Sequence, residues 1–315
     1  MHGLIFRSTG SWYEVYVKEI QKTIPSRIVG KLKLDKENLT NPVAVGDEVE
    51  VELEDEINGL IKSVLPRKNY IARQSPKSRM QLHLIACNID QAILITSIRE
   101  PDLKAGFIDR FLLTTEPQNI PVIIVFNKWD IYTEVDRMIF LDIKNLYETI
   151  GYKVLAVSSK DQTGIAELKQ CIQGKVNLLS GQSGVGKSSI INNLQPDLNL
   201  KTSQLSGYSG KGIHTTTFAE MFPVNEQTFI IDTPGIKSLS FNNLEIMDVA
   251  HNYREFFEAS TSCKFGSQCT HRNEPDCAVK EKMFVGIISE VRYKNYLNVL
   301  EEIEAQNYWE RNKKY

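Results

Sequence analysis

The sequence predicts a multidomain α/β protein with an N-terminal OB-type β-barrel, a central P-loop α/β domain whose elements run in permuted order, and a mostly helical C-terminal domain. Three observations predict it. Period-2 alternation fills residues 1–68, strands alternate with amphipathic helices over residues 69–240, and a Cys/His cluster interrupts helical sequence over residues 241–315.

The chain has 315 residues, 42% hydrophobic and 24% charged, which is enough apolar material for more than one core. No apolar run approaches the roughly 20 residues needed to span a bilayer. Met1-His2-Gly3-Leu4-Ile5-Phe6-Arg7 lacks the features of a signal peptide, so a cytoplasmic location without membrane contact is expected. Net charge is −2, but it is unevenly spread. Lys62 to His83 contains no acid and carries Lys62, Arg67, Lys68, Arg73, Lys77 and Arg79, and Leu198 to Ala219 is a second acid-free stretch. Such patches suit either nucleic acid or an ordinary solvated linker.

In the barrel region, Trp12–Val17, Ser26–Leu32 and Gly46–Leu53 read as strands, and Asn58-Gly59 turns the chain into Leu60–Leu65. A barrel of about five strands fits, and such barrels bind either RNA or protein. In the central domain strands are predicted at Gln91–Ser97, Val122–Phe126, Lys153–Val157, Lys175–Leu179, Thr217–Pro223 and Thr228–Ile231. Helices are predicted at Ile108–Thr115, Val135–Ile150 and Ile165–Gln173, with a final helix over Ser289–Glu310.

Gly181-Gln182-Ser183-Gly184-Val185-Gly186-Lys187-Ser188 matches G-x-x-x-x-G-K-[ST] between an apolar strand and the helix opened by Ser189. Its glycines allow backbone N–H groups to wrap phosphates at a helix N-terminus. Lys187 would neutralise the β- and γ-phosphates, and the Ser188 hydroxyl would ligate Mg²⁺. The base is selected by Asn127-Lys128-Trp129-Asp130 at the end of an apolar strand. The Asp130 carboxylate accepts from guanine N1–H and the 2-amino group, a donor pair that adenine lacks. Lys128 would lie along the base, and Asn127 would tie this loop to the phosphate loop. Ser158-Ser159-Lys160 corresponds to the turn whose backbone N–H meets guanine O6.

Asp232-Thr233-Pro234-Gly235 ends another strand. There Asp232 would hold Mg²⁺ through water, and the Gly235 N–H would contact the γ-phosphate of GTP and lose it in GDP. Upstream, one of Thr215 and Thr216 would complete the Mg²⁺ shell. Ile236 stands where many GTPases carry a water-orienting Gln, so His214, another residue or a partner must place the attacking water. Cys263, Cys269, His271 and Cys277 form a closed thiolate–imidazole set suited to one structural Zn²⁺. Lys264, Arg272, Lys280 and Lys282 beside it suit RNA phosphates or solvent.

The base-selecting loop and Ser158–Lys160 precede the phosphate loop, the reverse of conventional GTPases. Joining the conventional termini near Gly174 produces this order and leads the Asp232–Gly235 segment into the C-terminal domain. This order, with Gly181–Ser188, Gly212-Ile213-His214-Thr215-Thr216-Thr217, Asp232–Ile236 and the Cys263/Cys269/His271/Cys277 spacing, resembles the RsgA (YjeQ) family over nearly the whole chain. The resemblance implies a circularly permuted, Mg²⁺-dependent GTPase acting late in maturation of the small (30S) ribosomal subunit. It would bind in its GTP form and leave after subunit-stimulated hydrolysis to GDP, with barrel and zinc domain touching ribosomal RNA. A monomer is expected. The barrel starts almost at Met1, so contacts from the longer basic arm of some relatives are not carried over. Two alternatives remain at this stage: a GTPase serving another ribosomal particle, and a non-enzymatic RNA-binding module with a structural nucleotide site.

Overall fold

Alternating apolar and charged residues close the first five strands into a barrel. The computed structural model of the chain describes residues 1–29, 39–55, 57–74, 81–198, 219–233 and 244–312. Lys77, Arg79, His214, Thr215, Thr216, Gly235 and Ile236 lie outside the described residues. Strands β1 (His2–Ser8), β2 (Tyr13–Val17), β3 (Lys22–Ile28), β4 (Glu48–Leu53) and β5 (Gly59–Val64) pair in the order β1-β2-β3-β5-β4. β4 pairs back to β1, and β3 runs parallel to β5. Val15, Val17, Ile24, Val49, Val51 and Ile61 fill the interior, while Glu14, Glu48 and Glu50 face solvent. That alternation fixes register, because a one-residue slip would put glutamates inside. The strand expected over Ser26–Leu32 instead begins at Lys22, since Thr23 and Ile24 already pair with Tyr16 and Val15.

Beyond the barrel, β6 (Tyr70–Gln74) and β7 (Leu82–Cys87) form a separate antiparallel pair. In sequence this segment shows only as a basic stretch. Part of its charge is spent internally: Arg67 donates from Nε and Nη2 to the buried Asp47 carboxylate at 2.7 and 2.8 Å, Lys68 pairs with Asp90, and Lys62 with Glu52 at 2.6 Å. Leu39, Ala44, Leu84 and Cys87 pack into a small core that links the hairpin to residues before β4.

The central sheet contains β8 (Gln91–Thr96), β9 (Val122–Phe126), β10 (Lys153–Ala156), β11 (Val176–Gly181), β12 (Glu220–Asn225) and β13 (Thr228–Asp232) in the order β10-β9-β8-β11-β13-β12. All neighbours are parallel except β12 and β13. Every residue of β8 and β9 is buried, as expected for parallel strands covered on both faces. Ala92, Leu94, Val122, Ile124 and Phe126 face the core shared with α1 (Phe107–Thr115) and α2 (Glu134–Thr149). Ile93, Ile95, Ile123 and Val125 face the core shared with α3 (Ile165–Ile172) and α4 (Lys187–Leu194). A capping box starts α2: Thr133 accepts from the Asp136 N–H, and Asp136 accepts from the Thr133 N–H. The barrel joins this sheet where β1 meets β12 at Arg7 and Glu220, with Phe6 stacked on Tyr16 and edge-on to Phe229.

Helices α5 (Ile246–Asn252), α6 (Arg254–Ser260), α7 (Ala278–Phe284) and α8 (Glu290–Asn312) build the C-terminal region around Val249, Tyr253, Phe256, Tyr296 and Leu300. Arg292 of α8 docks this region on the sheet. Its side chain is 2% exposed and reaches Asp109 of α1 at 2.6 Å and Glu255 of α6 at 2.8 Å. Asp109 also accepts from the Tyr147 hydroxyl and from Asn295 Nδ2, each at 2.6 Å. Arg110–Glu302 and Arg254–Glu116 flank this buried centre with paired hydrogen bonds.

Arg292→Ala would strand the fully buried Asp109 carboxylate, so urea unfolding should show a loss of about 3–5 kcal/mol. A loss below about 1 kcal/mol would mean the ion pair behaves as a solvent-screened surface contact.

Candidate functional site

The phosphate-loop motif occupies the strand-to-helix turn between Gly181, the last residue of β11, and Lys187, the first of α4. Gly186 is required there twice over. Its φ is +93°, and a Cβ at this position would lie 2.3 Å from Asn127 Nδ2. The Lys187 ammonium donates to the carbonyls of Gly181 and Gln182 at 2.9 and 3.0 Å. Burial lowers its pKa, against the opposing pull of the Asp232 carboxylate. Asp232 ends β13, registers with Leu179 of β11, and is itself 5% exposed. Next to it, Thr233 donates its hydroxyl to the Leu179 carbonyl at 2.8 Å. Lys187, Ser188 and Asp232 therefore share one end of adjacent strands.

The second half of the site follows β9. Asn127 is 0% exposed, donates from Nδ2 to the Val185 carbonyl at 2.8 Å, and accepts at Oδ1 from the Ser159 N–H at 3.2 Å. One carboxamide thus spans the Asn127–Asp130 loop, the phosphate loop and the Ser158–Lys160 turn. Asp130 accepts from the Ser158 hydroxyl at 2.9 Å, with Lys160 Nζ 3.8 Å from its other oxygen. Lys128 adopts φ +68°, and its ammonium donates to the Glu100 carbonyl. The structure thereby brings Asn127, Lys128, Asp130, Ser158, Ser159 and Lys160 to the loop Gly181–Ser188, with 58 residues of chain between Asn127 and Val185.

Tyr132, Asn193 and Gln162 shape this site without any signal in the sequence. Tyr132 accepts from the Ile98 N–H at 2.7 Å and donates to the Asn127 carbonyl at 2.9 Å. Asn193 of α4 donates to the Ser159 carbonyl at 2.7 Å and accepts from Gln162 at 3.0 Å. None belongs to a motif, and no spacing signal distinguishes such residues from ordinary surface polars.

Cys263, Cys269, His271 and Cys277 are all buried, and their donor atoms lie within 4.8 Å of one another. The sulfurs of Cys263 and Cys269 lie 4.0 and 3.9 Å from that of Cys277, and His271 Nδ1 lies 3.8 and 3.5 Å from Cys263 and Cys277. Edges of about 3.8 Å are expected for a tetrahedron of metal–sulfur bonds of about 2.3 Å, so the set can hold one metal ion. Burial pushes the Cys269 thiol up to about 12 and raises Cys277, so a cation is needed to keep them as thiolates. Burial also lowers His271 to about 4, leaving a neutral imidazole. Tyr293 and Tyr296 of α8 donate to the carbonyls of His271 and Thr270 at 2.6 and 2.7 Å, fixing the ligand loop. No helix among the described residues is long and apolar enough to cross a membrane.

Comparison with known proteins points to the same combination of parts. The profile of the RsgA GTPase family matches residues 64–242, and that of the RsgA N-terminal domain matches residues 2–61. A Phocaeicola vulgatus protein named small ribosomal subunit biogenesis GTPase RsgA is 46% identical, covering 98% of this chain and 99% of its own. A Bacteroides thetaiotaomicron protein named small ribosomal subunit biogenesis GTPase RsgA 2 is 45% identical with the same coverage. Among solved structures, YjeQ from Thermotoga maritima superposes with a TM-score of 0.78 at 30% identity, over 96% of this chain and 98% of that one. YloQ, described as a circularly permuted GTPase, gives 0.74 at 28% identity, over 97% and 95%.

Replacing Asn127 with Ala leaves the Val185 carbonyl and the Ser159 N–H without their partner. Nucleotide-free protein should lose about 2–4 kcal/mol in chemical unfolding. An unchanged midpoint would show that the three loops hold their places without this carboxamide.

Proposed function

This chain belongs to the RsgA family of circularly permuted GTPases, and on that basis we propose that it hydrolyses GTP as a late assembly factor of the small ribosomal subunit. The observation that supports the reading is the Asn127 carboxamide, which bonds the Asn127–Asp130 loop to the Gly181–Ser188 loop and to Ser159. In this reading the Asp130 carboxylate accepts from the guanine edge, Lys128 covers the base, and the N–H groups of the Ser158–Lys160 turn face O6. The backbone N–H groups of Gly181–Ser189 cradle the phosphates. Lys187 exchanges its bonds to the Gly181 and Gln182 carbonyls for β- and γ-phosphate oxygens.

The Ser188 hydroxyl, the Asp232 carboxylate and one of Thr215 and Thr216 form a hard oxygen set suited to Mg²⁺, which when bound supplies charge neutralisation of the phosphates. Gly235 would sense the γ-phosphate, and His214 would orient the attacking water in place of the Gln that Ile236 replaces. The Cys263/Cys269/His271/Cys277 set would hold one structural Zn²⁺, because it is a closed four-ligand set of soft and borderline donors. We place the division between barrel, GTPase and zinc units near residues 68 and 240. Barrel and zinc unit would contact ribosomal RNA, the GTP form would bind the subunit, and hydrolysis to GDP would release it. The relatives named for small-subunit biogenesis support this partner. The protein would act as a cytoplasmic monomer.

GTP turnover should rise by about tenfold or more when isolated small subunits are added, and Lys187→Ala should abolish the increase. Stimulation by large subunits alone would assign the enzyme to another particle. Turnover no higher than that of the Lys187→Ala protein under all conditions would reduce the nucleotide to a structural ligand. For the metal, Cys277→Ala should lose one equivalent of zinc by elemental analysis and lower the melting temperature. Full zinc content in that variant would remove Cys277 from the ligand set.

A further inference from the structure

We infer that Asn193 is a positioning residue for guanine recognition: it pins the Ser158–Lys160 turn to the phosphate-loop helix and so sets where that turn's N–H groups meet the base. The inference rests on the reading of Asn127–Asp130 and Ser158–Lys160 as the guanine pocket.

Asn193 lies on α4, the helix that begins at Lys187. It holds the turn from the phosphate side: Nδ2 donates to the Ser159 carbonyl at 2.7 Å, and Oδ1 accepts from Gln162 Nε2 at 3.0 Å. From the opposite side the turn is held by Asn127, which accepts the Ser159 N–H, and by Asp130, which accepts the Ser158 hydroxyl. The peptide unit at Ser159 is therefore gripped at both ends by different elements. Its N–H faces the base-reading loop, and its carbonyl faces α4.

The N–H on offer to a base is only weakly engaged. That of Lys160 donates at 3.3 Å to Ser158 Oγ, beyond the usual range for N–H···O bonds. A carbonyl oxygen at the purine 6-position can share or take over such donors, whereas the 6-amino group of adenine presents hydrogens to them. Guanine and phosphates are bridged by a sugar of fixed length, so the height of this turn above α4 decides whether O6 arrives within bonding distance. Asn193 sets that height, because its side chain joins the turn to the helix carrying Lys187.

The test uses the full-length protein and two ligands, GDP and the diphosphate of 2-aminopurine riboside, which keeps the 2-amino group and lacks O6 and, with it, the N1–H; each variant is therefore compared with the unchanged protein on the same ligand. In Asn193→Ala and in the near-isosteric Asn193→Asp, calorimetric affinity for GDP should fall about five- to tenfold. Affinity for the 2-aminopurine ligand should change by less than about twofold, because no O6 contact exists to be lost. Gln162→Ala, an exposed change that leaves Asn193 in place, should weaken GDP selectively by a smaller factor and carries the test if the Asn193 variants fail to fold. Equal loss for both ligands, or no loss for GDP, overturns the inference. Asp130→Asn serves as the separate control on the pocket itself, since it should exchange preference for guanine with preference for xanthine. If Asp130→Asn still prefers GDP, the pocket reading fails. If Asp130→Asn switches and the Asn193 variants bind GDP normally, the role of Asn193 alone falls.

Discussion

A single buried carboxamide, that of Asn127, is the constraint on which the rest of the candidate site depends. It is fully enclosed, and it satisfies the Val185 carbonyl and the Ser159 N–H with its two ends. A polar group at this depth costs free energy unless both ends are paired, so the three loops it joins must arrive together. The glycine at position 186 belongs to the same constraint. Glycines of a phosphate loop are usually explained by the approach of backbone to phosphate, but here a Cβ would first strike Asn127. The loop is therefore shaped by the Asn127–Asp130 side of the site.

The permuted chain order leaves this geometry intact because a sheet is defined by spatial neighbours rather than by sequence succession. β11, which leads into the phosphate loop, lies between β8 and β13, although β8 comes long before it in the chain. The connection that permits this is short: α3 ends at Ile172, Gly174 turns at φ +68° with its N–H on the Thr228 hydroxyl, and β11 starts at Val176. The barrel is joined through β12, the neighbour of β13, and the helical region follows β13 in the chain. The strand ending in Asp232 is thus one strand removed in space from one outer unit and adjacent in sequence to the other.

What could be read in advance follows the range of the forces involved. Buried parallel strands announce themselves as unbroken apolar runs, and β9 occupies the expected residues Val122–Phe126. Barrel strands announce themselves by alternation, as β4 does. The Cys/His set was legible because metal chemistry restricts which residue types can serve, and the fold gathers all four. Legibility failed where a structure is decided by partners remote in sequence. The hairpin of β6 and β7 was hidden because its short strands flank a basic segment and its core is supplied partly by Leu39 and Ala44. Arg67 looked like a surface charge and is instead spent on Asp47. Arg292 carries no signal in a helix of alternating charges, since its partners lie 183 and 37 residues away. Asn193 and Tyr132 are ordinary polar residues until the fold sets them against a backbone group.

The same long-range contacts bear on how a nucleotide site can influence the metal-binding region. The segment before α1 touches the site, since the Glu100 carbonyl accepts the Lys128 ammonium and Pro101 lies 3.8 Å from where a Cβ of Gly184 would be. α1 itself carries Asp109 and Arg110, which bind Arg292 and Glu302 of α8. α8 in turn fixes the metal-ligand loop through Tyr293 and Tyr296. Removing one partner of a buried ion pair such as Asp109–Arg292 costs about 3–5 kcal/mol, whereas coupling between two ligand sites typically amounts to about 1–3 kcal/mol. The α1–α8 junction is therefore the firmer link in this run of contacts between the Glu100–Pro101 segment and the metal-ligand loop.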